Sequence, residues 1–141
     1  MIEVFKFEKR YKYPHMSKLD TEIWNRFLDK YSDAYDSVQY DFHVGEAPPF
    51  NTLMDDDEDK NQDKLYRFRI DAIGFGKESI DIIEVKPNAR LTALGEVENY
   101  RMLYVRDEEP QLPVGMVIIT DKEMPNMGYL CKAKGIKLVV V

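Results

Sequence analysis

The chain predicts an α/β fold, a mixed central sheet flanked by helices, and three observations carry that reading. Segments with period-two hydrophobicity alternate with segments of period 3.6 along most of the 141 residues. The second half repeats strand, helix, strand, helix, strand, and strands joined through helices are parallel neighbours. The first half contains strands linked by a short glycine-containing turn, which makes antiparallel neighbours. The expected order is αβββαβαβ in a single domain, since domains commonly span about 100–150 residues.

SKLDTEIWNRFLDKYSDAY opens the order, with Ser17 and Asp20 as cap candidates and Ile23, Trp24, Phe27, Leu28 and Tyr31 at helical spacing. VQYDFHVG sets Val38, Tyr40, Phe42 and Val44 against Gln39, Asp41 and His43, a half-buried strand ending at Gly45. Asp41 and His43 thereby share an outward face, where a surface role is expected rather than a two-member metal site. Residues 46–64 hold two prolines and the acid run Asp55 to Asp59, and read as a long exposed loop. An EF-hand reading of that run fails because its sixth position is Lys60 and its twelfth Tyr66.

LYRFRIDAIGFG is the next strand, Gly-Lys-Glu-Ser a turn, and ESIDIIEVKP the third strand. TALGEVENYRMLYVRD follows as a helix with Thr92 as candidate N-cap and a stripe of Ala93, Leu94, Val97, Tyr100 and Tyr104. VGMVIIT, then roughly PNMGYLCKAK, then IKLVVV after Gly135 complete the order.

Hydrophobic residues at 44% and charged residues at 33% exclude a disordered chain. There is no apolar run of about 18 residues and no signal-peptide pattern in MIEVFKFEKR, so no membrane partner and a cytoplasmic location are expected. The single cysteine, Cys131, reads as a core residue. The net charge of −6 argues at first against nucleic acid, but five of the acids lie in one run. The remainder is close to neutral, with basic groupings at Lys9-Arg10-Lys12, Arg67-Arg69 and Lys132-Lys134-Lys137.

Charge in a core strand is the feature that needs explaining. Ile80, Ile82, Glu84 and Lys86 share one strand face, and Asp81, Ile83 and Val85 the other. Asp71 lies at a separation that a hairpin can close onto Glu84. Two carboxylates make a hard-cation site, because Mg²⁺ takes one or two of them together with waters and substrate phosphate oxygens. Glu96 borders the buried stripe of the following helix, with Tyr100 one turn later on the same side. Asp20, within the first helix's apolar stripe, either caps that helix or adds an acid to the site.

Asp71, Glu84-Val85-Lys86 and Ala93-Leu94-Gly95-Glu96-Val97-Glu98-Asn99-Tyr100 together resemble the PD-(D/E)XK nuclease superfamily, with its Asp, its (D/E)-x-K and its following AxGQxxxY helix. The likeness extends to the element order and runs from the first helix to the last strand. More narrowly, YDFHVG, RIDAIG and IIEVKP resemble small nuclease-like proteins of tailed phages and prophages. The resemblance implies a restriction-endonuclease-like core and metal-dependent DNA hydrolysis, with Mg²⁺ or Mn²⁺ as cofactor. It implies Asp71, Glu84 and the Val85 carbonyl as metal ligands, and Lys86 as the catalytic lysine. Glu96, a candidate catalytic residue, stands where many relatives have Gln, and an acid there would add to the metal site or position water. Tyr100, Arg69 and Arg67 are candidate contacts to substrate phosphates. The alternative is a nuclease-fold structural or interaction protein of a phage or prophage, acting in the bacterial host cell or in the virion. DNA is the expected partner, with a homodimer or a phage protein partner also open.

Overall fold

The computed structural model describes residues 2–46 and 68–141. Arg67 and the predicted acidic loop, Glu46 apart, lie outside the described residues. The elements are β1 (Phe5–Lys6), α1 (Lys18–Lys30), β2 (Ser37–Val44), β3 (Phe68–Phe75), β4 (Ile80–Val85), α2 (Leu91–Glu108), β5 (Val114–Thr120), α3 (Met127–Lys134) and β6 (Ile136–Val140). The predicted order is present, with one addition. β1 is a two-residue strand too short to carry a period, and it pairs with Val38 and Ser37 at the edge of β2.

The six strands form one mixed sheet in sequence order. β1 to β4 are antiparallel neighbours, whereas β4, β5 and β6 run parallel. Parallel strands require crossovers, and right-handed crossovers stepping the same way across a sheet place their helices on one face. α2 and α3 accordingly share one core cluster, in which Ala93, Leu94, Val97, Met127 and Cys131 meet Ile70, Ile82 and Ile118. α1 covers the other face with Ile23, Trp24, Phe27 and Leu28 against Val38, Ala72, Ile83 and Ile119.

α1 starts with a reciprocal capping box. Asp20 N–H donates to Ser17 Oγ at 3.1 Å and Asp20 Oδ2 accepts from Ser17 N–H at 3.4 Å, so two otherwise orphaned donors are satisfied. α2 begins one residue before Thr92, with Arg90 at the N-cap and no side-chain cap bond. Trp24 is fully buried, and its indole N–H donates to Tyr40 Oη at 3.0 Å, which lets a polar tip enter an aromatic core.

β2 departs from simple alternation. Val38 and Tyr40 pack on the α1 side, yet Phe42 and Val44 pack on the α2 side. Asp41 between them has φ +50°, and this left-handed step turns the strand over without changing its register to β3. Opposite it, β3 makes the same exchange, with Ile70 on the α2 side and Ala72 on the α1 side. Asp71 sits at that crossing point.

Candidate active site

The β3–β4 ladder pairs Phe75 with Ile80, Gly74 with Asp81, Ile73 with Ile82 and Ala72 with Ile83, and then stops. β4 continues to pair with β5 through Glu84 and Val85. The next two residues, Asp71 and Glu84, therefore face each other across an opening in the sheet. Asp71 uses it: its Oδ2 accepts from Val85 N–H at 2.9 Å, in place of a backbone carbonyl. Glu84 Oε1 in turn accepts from Asp71 N–H at 3.3 Å. Each acid thus holds the other's strand, and the backbone donors freed by the opening are satisfied.

Both carboxylates are short of solvent, Glu84 being 1% exposed. Burial pushes Asp71's carboxyl up to about 6, opposed by the Val85 N–H and by Lys86. Burial, followed by the charges of Asp71 and Glu96, holds Glu84 well above the usual carboxylate range. Two carboxyls so close in low dielectric cannot both ionise cheaply.

Lys86 extends from the end of β4 toward α2, where its Nζ lies 3.4 Å from Glu96 Oε1. Burial alone would lower its ammonium, but Glu96, Asp71 and Glu84 outweigh it and raise it above its ordinary value. Tyr100 Oη donates to Glu96 Oε2 at 3.5 Å. Burial and the same acids raise the phenol, which stays protonated. The turn carrying Lys86 is pinned from β5: Lys86 N–H donates to the Ile119 carbonyl, Asn88 N–H to Asp121 Oδ1 at 2.7 Å and Ala89 N–H to the buried Thr120 Oγ1 at 3.0 Å.

Asp71, Glu84, Val85, Lys86, Glu96 and Tyr100 are brought together by these contacts. Asp20 remains in its capping box, and its charge still reaches Asp71 and raises it. Arg69 is turned aside: its guanidinium meets His15 Nε2 and lies 3.8 Å from Asp41 Oδ1. Asp41 and His43 are correspondingly less open than the sequence predicts, their side chains 24% and 20% exposed and 3.6 Å apart. Pattern reasoning missed this cluster, which depends on His15 arriving from the segment before α1.

A divalent cation fits the donor set. Burial raises both acids, a penalty that a cation would relieve, and two carboxylates suffice for Mg²⁺ with waters completing its shell. Among the described residues there is no group of three or more His, Cys, Asp or Glu arranged to hold a metal. Such a site would rest on the Asp71–Glu84 pair. No protein-family model, curated protein or solved structure matches the chain.

Proposed function

We propose that the protein is a Mg²⁺- or Mn²⁺-dependent DNA nuclease of the PD-(D/E)XK type, with a restriction-endonuclease-like core. The observation that carries this reading is the opening between β3 and β4, where the buried acids Asp71 and Glu84 each accept from the other strand's backbone beside Lys86. The element order, with three antiparallel strands, a crossover helix and a parallel strand around that opening, supports it.

A bound cation would polarise a phosphoryl oxygen and lower the pKa of water. Asp71 and Glu84 would hold that cation, and the Val85 N–H fixes Asp71's rotamer. Lys86, kept cationic by its acidic neighbours, offers positive charge to the phosphate as negative charge grows, rather than taking a proton. Glu96 orients Lys86, and Tyr100 supports Glu96. Purified protein with Mg²⁺ or Mn²⁺ should cleave single-stranded, double-stranded or branched DNA and lose that activity in chelator. A folded protein that leaves all three intact contradicts the proposal.

One observation favours a second reading, a nuclease-fold interaction protein of a phage or prophage. Lys86 and Arg69, the described cations expected to meet substrate, are already paired, Lys86 to Glu96 and Arg69 to Asp41. In that case Glu84→Ala and Lys86→Ala leave biological function intact. Among the described residues no helix is long and apolar enough to cross a membrane.

A further inference from the structure

A groove runs along the exposed side of α2 beside the carboxylate pair, lined by Phe68, Thr92, Gly95, Glu96, Asn99 and Tyr100. Phe68 is 53% exposed, and its ring lies 5.9 Å from that of Tyr100 at an interplanar angle of 31°. The two rings form a tilted aromatic wall. Glu96 and Tyr100 belong to both the groove and the candidate site, so the groove is continuous with the place where a phosphate would sit.

Gly95 supplies an independent observation. A mid-helix glycine costs about 1 kcal/mol relative to alanine and is retained where something approaches closely. Among the described residues nothing does so, because a Cβ at Gly95 would meet none of their atoms within 4 Å. The space it leaves opens into the groove.

Charge decides what the groove takes. Among the described residues the one charged side chain lining it is the Glu96 carboxylate, already paired with Lys86, so the lining suits a neutral ring more than a phosphate backbone. The cations of α2 are directed elsewhere, Arg101 to the Val114 carbonyl at 2.6 Å and Arg106 to Asp107 at 2.7 Å. Resting on the nuclease reading of the adjacent site, we infer that the groove holds an unpaired nucleobase stacked on Phe68 and Tyr100. The substrate class is therefore single-stranded DNA, or DNA with an unpaired segment at the cut. A base inside a duplex presents only its edges and cannot lie against these rings.

The test is binding of the full chain to a fluorescein-labelled single-stranded oligothymidylate and to a hairpin duplex, with Ca²⁺ replacing Mg²⁺ and with sedimentation of the same samples. Wild type is expected to prefer the single strand. Phe68→Ala should weaken single-strand binding about five- to hundredfold, the range of one lost base stack, with little change for the duplex. Gly95→Leu should do the same by filling the groove, while its thermal midpoint holds or rises. Phe68→Trp should keep binding and show quenched indole fluorescence on adding the single strand. Stacking that depends on Phe68 in a protein that cuts no DNA would sink catalysis and leave this inference standing. Cleavage with single-strand binding indifferent to both Phe68→Ala and Gly95→Leu would overturn this inference alone. It is also overturned if wild type does not bind the single strand, or if the substitutions only dissociate a dimer.

Discussion

β4 carries two acids three residues apart, and the two ends of the β3–β4 hairpin treat them oppositely. At the closed end, Asp81 sits in an intact ladder between Gly74 and Gly115, and its Oδ2 accepts from Tyr35 Oη at 2.7 Å. The glycines make the room: a Cβ at Gly74 would lie 2.6 Å from the Tyr35 ring. At the open end, Glu84 meets a second acid instead of a hydroxyl, and both are driven toward protonation. A strand carboxylate with a donor partner and a closed ladder is architecture. One that faces another carboxylate where the ladder opens is where we propose the cation binds.

The largest expected effect separates those ends directly. Glu84→Ala should reduce Mg²⁺-dependent DNA cleavage by at least on the order of 10²-fold, a typical loss for a group that stabilises transition-state charge. Asp81→Ala should leave the activity of the folded protein within a few-fold, measured under identical conditions. Equal losses would erase the distinction.

Stability should show the converse. Gly74→Ala forces the Tyr35 ring to move and should cost about 1–3 kcal/mol in chemical denaturation. Tyr35→Phe should cost about 1 kcal/mol through the lost bond to Asp81.

The pH dependence sharpens the open end. Asp71's folded-state pKa, about 6, lies above the unfolded value of 3.8, so the protonated form is favoured by folding. Its contribution is fully present below pH 3.8 and is lost as pH rises through about 6. Metal-free protein should lose on the order of 1–3 kcal/mol of stability across that window. The Asp71→Asn, Glu84→Gln double variant should flatten the slope, and Mn²⁺ should restore wild type at neutral pH.

Much of this was legible in the residues. Ser17 and Asp20 announce the start of α1, and the alternation of Ile80, Ile82 and Glu84 against Ile83 and Val85 places the acid on the α2 face. Other features depend on tertiary partners. β1 is two residues long and exists because β2 offers an edge. The turnover at Asp41 leaves the buried-exposed pattern of β2 unchanged, so no periodicity reveals it. Arg69 has the right type and position for a phosphate contact, but His15 and Asp41 claim it.

The smallest effect concerns Glu96. Glu96→Gln removes an ion pair whose side chains are 40% and 23% exposed, so stability should change by less than about 1 kcal/mol. The titration of Lys86, followed by NMR of its side chain, should move downward because its largest raising charge is gone.

Anomalous diffraction from crystals soaked in Mn²⁺ near neutral pH tests the central claim most directly. The account predicts a peak in the β3–β4 opening, about 2.0–2.3 Å from carboxylate oxygens of both Asp71 and Glu84, and its loss in Glu84→Gln. An opening without metal, with Mn²⁺ bound only elsewhere or not at all, would contradict it.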